Sequence, residues 1–216
     1  MKEKSKSAVS IIGGADGPTS IFIAGGSRKQ PLKRRIQNTI YTYKRKMAEK
    51  KIVANAHTLD EVVQYAISNY DLIETDPTDW QYIEQRKNLK ESLILQHKPE
   101  ILGEMQKIPR PDISNEKSVR KYFEKIKVRS EMIAEMPDSV IPMDFHLYKI
   151  RIGNDFLEIA IDYIWSIFGI SYSGKKKVIK QFKKISRDLY SYYGVSEDDI
   201  KQKTERYLSL VAALSL

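Results

Sequence analysis

Residues able to carry chemistry are few in this chain and badly spaced for it. Histidine occurs three times, as His57, His97 and His146, and no two share a turn or strand pair that would hold a metal or serve a nucleophile. Cysteine is absent, which removes thiolate metal sites, iron–sulfur clusters and disulfides together. Gly169-Ile-Ser171-Tyr-Ser173 approaches a nucleophile elbow but lacks its second glycine, so Ser171 reads as a strand residue. Gly13-Gly14-Ala15-Asp16-Gly17 is followed by no Gly-Lys-Ser/Thr and does not match the dinucleotide fingerprint. The paired acids Asp198 and Asp199 suit the start of a helix. Glu158 and Asp162 would share the solvated face of a strand. No catalytic constellation is legible, and no cofactor is implied.

What the charges do offer is electrostatic binding. The formal net charge is +9, and residues 28–51 hold ten Lys and Arg against a single acid, Glu49, while the rest of the chain is close to neutral. Such a block raises the local potential for an anionic partner. Lys33, Arg34, Arg35, Lys44, Arg45 and Lys46 would meet phosphates, with Tyr41 and Tyr43 between them able to stack on unpaired bases. A second cluster places Lys175, Lys176, Lys177, Lys180, Lys183, Lys184 and Arg187 within thirteen residues. Three of these fall in the first turn of a helix, where the macrodipole disfavours cations. Of this cluster, Lys176, Lys180, Lys183 and Arg187 are the candidate contacts. The expected partner is nucleic acid or an acidic protein surface. Peripheral contact with an anionic membrane is the alternative, and a plain solvated lysine face accounts for either cluster without any partner.

One segment can be compared with a known family. Ser10-Ile-Ile-Gly-Gly-Ala-Asp-Gly-Pro-Thr-Ser-Ile-Phe22 resembles a signature of the β subunit of sodium-translocating decarboxylases. The resemblance implies a sodium site in which Asp16 is the cation-binding carboxylate and Thr19 and Ser20 are oxygen ligands, since hard cations take oxygen donors. It also implies a subunit of many membrane segments, and those are not legible here. The longest apolar run outside the motif, Phe156–Ile170, carries Glu158 and Asp162, whereas a spanning helix needs about 20 mostly apolar residues. Gly-Pro and an aspartate inside the N-terminal apolar stretch also argue against a signal peptide, so the expected location is cytoplasmic. The alternative for the motif is a strand over residues 8–13, a Gly-Pro turn and a second strand over residues 19–24.

The elements that must position these groups follow from periodicity. Pro31 opens a basic helix on which Leu32, Ile36, Ile40, Tyr43 and Met47 form one apolar stripe, expected to face inward. Thr58 with Glu61, and Thr78 with Gln81, read as capping boxes for the next two helices. Asn115 caps a fourth, with Val119, Phe123, Ile126 and Ile133 inward. Between Phe145 and Tyr172 the period changes to two, predicting a hairpin turning at Gly153-Asn154-Asp155 and a third strand from Trp165. A helix follows with Val178, Phe182, Ile185 and Leu189 inward, broken by Gly194, and a last one begins at Ser196. The prediction is a mostly helical α+β protein of about six helices with a small antiparallel sheet. Residues 1–30 form a glycine-rich segment, and residues 31–216 a single domain opening on the basic helix 31–54. The function expected is non-enzymatic binding of a polyanion through residues 28–51; the alternative is an accessory protein related to the decarboxylase β subunit, with a cation site at Asp16. Without the pump, sodium should give no specific stabilisation. A melting-temperature rise seen in sodium, absent in potassium and lost in Asp16→Asn would overturn that expectation.

Overall fold

Local capping chemistry sets the helix boundaries. In the computed structural model, which describes residues 7–13 and 32–215, Thr58 Oγ1 accepts the Glu61 amide at 3.2 Å, and Glu61 Oε2 accepts the Thr58 amide at 2.7 Å. This box starts α2 (Leu59–Asn69) as predicted. The second predicted box is not formed. Asp79, not Thr78, caps α3 (Trp80–His97), while Thr78 is held in a turn by Asp76 Oδ1, which accepts its amide at 2.7 Å. Asn115 caps α4 (Glu116–Glu135) as expected. Ser196 and Asp199 form a capping box for α6 (Glu197–Gln202), and the predicted last helix then breaks. Lys203 takes a left-handed conformation at φ 52° and a separate α7 runs Glu205–Ser215.

The remaining elements are β1 (Ser7–Gly13), α1 (Leu32–Glu49), β2 (Leu72–Glu74), a 3-10 helix Pro99–Gln106, β3 (Phe145–Ile152), β4 (Asp155–Asp162), β5 (Ile167–Gly174) and α5 (Lys176–Tyr193). The fold is therefore α+β and mostly helical, with a small antiparallel sheet, as the periodicities predict. Among the described residues the strand order is β1-β5-β4-β3-β2. Two of these strands extend the predicted three. β1 adds to the free edge of β5 in the register Ser7–Gly174 to Gly13–Phe168, and β2 adds to β3. β5 begins two residues later than predicted because Asp162 Oδ1 accepts the Trp165 amide at 2.9 Å, closing a turn in which Ser166 has φ 50°. Asp162 is accordingly fully buried, not on a solvated face with Glu158.

Where the sequence suggests one domain after residue 31, the chain divides into two compact units, Met1–Glu74 with His146–Leu216, and Thr75–Phe145. In the second unit α3, the 3-10 helix and α4 bury Leu93, Ile94, Leu102, Ile133 and Ile141. Ile126 and Val119 are half-buried there, but Phe123 is 62% exposed, against expectation. Lys90, almost wholly buried, is balanced by Asp138 at 3.2 Å and by the Met136 carbonyl.

In the first unit α2, α5 and α7 bury their apolar faces in one core with the sheet, through Val62, Ala66, Phe182, Leu189, Tyr190, Leu210 and Val211. Phe168 lies edge-on to Tyr190 with centroids 4.9 Å apart, and Tyr172 is tilted against Phe182 at 5.9 Å. Burial pushes the Tyr172 phenol up to about 12.

The segment after α1 threads against the end of α5. Asn55 N donates to Val195 O at 2.8 Å and His57 N to Tyr193 O at 3.0 Å, and between them Gly194 (φ 59°) lies so close that a Cβ there would sit 1.7 Å from Asn55 O. Gly194→Ala combines that overlap with a backbone conformation L-residues rarely adopt. We expect it to cost on the order of 3 kcal/mol or more in urea unfolding, whereas Gly153→Ala, at a similar φ of 64° but in open space, should cost only about 1 kcal/mol. Equal losses at the two positions would contradict this account of the junction.

Candidate anion-binding surface

The basic helix α1 packs on α7, but not through its apolar stripe. Ala48 is buried and Tyr41 half-buried, whereas Ile36, Ile40, Tyr43 and Met47 are 52%, 51%, 65% and 38% exposed. The stripe expected to face inward therefore faces out, and the helix is held by the side bearing the small Ala48, which permits a close approach. Lys44 and Lys46 are exposed, and among the described residues neither forms an ion pair. Arg45 is committed to Glu49 at 3.1 Å, one turn on. Lys33, Arg34 and Arg35 belong to the first turn of α1 by their backbone; their side chains lie outside the described atoms.

On α5, Lys175, Lys176, Lys177, Lys180 and Lys184 are exposed and Lys183 is half-buried, and none forms an ion pair among the described residues. Ile179, Phe182, Ser186 and Leu189 are buried, and Val178 and Ile185 half-buried, so the lysines occupy the face opposite the core. Arg187 differs. It is half-buried and its Nε donates to Ala213 O at 3.3 Å, near the end of α7. Lys175 occupies the N-cap without any side-chain hydrogen bond, and the first turn holds no acid. The backbone donors and the lysines there all present positive charge.

Both basic helices pack on α7. At the start of α7, Arg206 Nε donates to Gly194 O at 2.8 Å, at the end of α5; near its last turn Ala213 meets Arg187. α5 and α7 are therefore antiparallel. α1 ends near the same junction, since Asn55, six residues past it, donates to Val195 O. Tyr207, at the start of α7, has its phenol raised by burial first, with Glu49 at the end of α1 adding to the rise and Arg45 opposing it. Lys46 thus lies in the last turn of α1, near the start of α7, whereas α5 begins at the end of the unit where α7 finishes, with Lys176 roughly 13 Å beyond that last turn at 1.5 Å per residue. β1 also begins there, with Ser7 opposite Gly174. No sequence signal reports that α1 and α5 share α7 as a neighbour, because residues 33–46 and 175–184 are separated by most of the chain.

The other candidate chemistry resolves into structure. His57 stacks on Tyr192 with centroids 4.2 Å apart, and its Nδ1 lies 2.6 Å from Tyr192 O. His146 Nδ1 lies 2.7 Å from Glu74 Oε1. His97 is in the last turn of α3. No group of three ligating side chains that could hold a metal occurs among the described residues. Ser171 lies in β5 and donates to Glu158 Oε2 at 3.3 Å. Asp188 accepts both Tyr65 and Tyr70 hydroxyls, at 2.8 and 2.6 Å. These phenols stay protonated, Tyr65 raised mainly by that hydrogen bond and Tyr70 mainly by burial.

A cleft lined by Trp165, Phe168, Tyr190 and Tyr193 also contains Asp199 and Arg206, but these two are engaged in the fold. Burial pushes the Asp199 carboxyl up, yet hydrogen bonds from Thr204 and Ser196 outweigh it and hold it below its ordinary value. Arg206 is spent on backbone carbonyls and on the Tyr193 ring.

Of the decarboxylase-like motif, Ser10–Gly13 lie in the edge strand β1, while Asp16, Thr19 and Ser20 fall outside the described residues, as does the second strand envisaged over residues 19–24. No described helix is long and apolar enough to cross a membrane. The chain matches no protein-family model, no curated protein and no solved structure.

If the first-turn lysines of α5 are unrelieved within the unit, changing them should raise stability. Lys176→Glu and Lys177→Glu should each add about 0.3–1 kcal/mol at low ionic strength, with the gain shrinking in high salt. Destabilisation in thermal melts would mean these lysines have an anionic partner inside the fold.

Proposed function

We propose that this protein is a non-enzymatic binding module that holds a polyanion on the exposed lysines of α1 and α5. The observation that carries the reading is the exposure of Lys44, Lys46, Lys176, Lys180 and Lys184, unpaired among the described residues, on two helices that both pack on α7. Lys33, Arg34 and Arg35 extend the basic run to the first turn of α1. Of the remaining predicted contacts, Lys183 can reach out from its half-buried position, Tyr43 is open to stacking and Tyr41 less so. Arg45 and Arg187 act mainly within the fold.

A site of this kind reads charge density rather than sequence, since exposed lysines are mobile point charges without the fixed fork that arginine offers to a base edge. Affinity should therefore fall steeply with salt and depend little on the sequence or shape of the anion.

Fluorescence-polarisation titrations with heparin and with labelled single- and double-stranded oligonucleotides, at low and physiological salt, test this directly. Replacing Lys33, Arg34, Arg35, Lys44, Lys46, Lys176 and Lys180 with Gln should reduce low-salt binding by about 100-fold or more and flatten the salt dependence. The helical circular dichroism and melting temperature should change little, because the described members of the set lie off the core. Undiminished binding by that variant would sink the assignment of this surface.

A further inference from the structure

We infer that the polyanion held by this basic surface is an anionic bilayer, on which α1 lies as an interfacial amphipathic helix. The inference rests on the polyanion reading above and adds the one feature that reading leaves unused. Ile36, Ile40, Tyr43 and Met47 follow one another at intervals of four, three and four residues, which places them within an arc of about 60° on a helix. All four are exposed, while Ala48 and Tyr41 on another side of the helix are turned towards the fold.

The lysines are arranged around that line. At 100° per residue, Lys44 falls roughly 70° to one side of it and Lys46 roughly 90° to the other. Lys50 and Lys51, just past the end of α1, are exposed as well. An apolar line with cations on both flanks suits a helix lying in the plane of a lipid interface. The apolar side chains enter the acyl boundary, Tyr43 keeps its hydroxyl among the headgroups, and the lysine stems extend outward to anionic phosphates and carboxylates.

A nucleic-acid backbone would meet only the cations and leave four large apolar side chains in water. Charge complementarity favours an anionic leaflet. The single acid of α1, Glu49, is neutralised by Arg45, and the exposed lysines of α5 add positive charge to the same unit. Attachment of this kind is weak and reversible, because four side chains bury far less than a spanning helix does, and no described helix is long and apolar enough to span.

The test uses the full chain and vesicles of phosphatidylcholine alone or with about a third phosphatidylserine. Flotation should show binding to the phosphatidylserine vesicles only, and Tyr43→Trp should give a blue-shifted emission quenched by brominated lipid. Ile36→Ser with Ile40→Ser and Met47→Ser should weaken vesicle binding by about tenfold or more while leaving heparin binding and the melting temperature unchanged. Heparin and oligonucleotide binding without vesicle binding, or vesicle binding indifferent to the serine variant, would overturn the bilayer as partner and leave the polyanion reading standing. Failure to bind heparin, oligonucleotides and vesicles alike at low salt would overturn both.

Discussion

The first unit is organised around the junction of Gly194 and Arg206. α5 ends there, and the chain entering from α1 must pass close enough for Asn55 and His57 to bond Val195 and Tyr193. That approach exists only because residue 194 has no Cβ. Arg206, one residue into α7, then ties the surrounding carbonyls together. Its guanidinium stacks over the Tyr193 ring 3.6 Å from the centroid, Nε bonds Gly194 O at 2.8 Å, and Nη2 bonds the carbonyls of His57 and Tyr193. A planar fork with several fixed donors can satisfy three carbonyls and a ring face at once, and a lysine could not. The directions of α1, α2, α5 and α7 all descend from this knot, because each enters or leaves it.

From that alignment comes the electrostatic character of the unit. α5 opens with three lysines at its positive helix end, a repulsive arrangement that α7 only partly offsets by ending along α5 with its negative dipole end. Arg187, bonded to Ala213 O, is the one cation of the α5 cluster that the fold visibly uses in this way. The others are held at the surface with no internal compensation among the described residues, which makes this face of α5 a standing source of positive potential.

Much of the architecture was legible from local chemistry. The capping boxes at Thr58 and Ser196, the Asn115 cap, the Gly153-Asn154 hairpin turn and the change to a period of two after Phe145 are rules that act within a few residues. The misreadings have physical causes of the same scale. Thr78 lost its capping role to Asp79 because Asp76 captured it in a turn. Asp162 became buried because its carboxylate closes the turn into β5, and Phe123 stayed exposed because α4 turns Ile126 and Ile133 to the core of the second unit. β1 and β2 were missed or only half seen because an edge strand is made by its neighbour's unpaired backbone rather than by its own pattern.

By itself the sequence determined that α1 is amphipathic and basic, that α5 carries its lysines opposite an apolar face, and that no described helix spans a membrane; each of these depends only on residue type and helical period. Tertiary structure decided which side of α1 would be covered. Periodicity shows that Ile36, Ile40, Tyr43 and Met47 share a face, but whether a face is buried depends on which neighbour fits against the helix, and α7 fits against the side of Ala48. Structure alone also set both α1 and α5 against α7, because the contacts that do so join residues far apart in the chain.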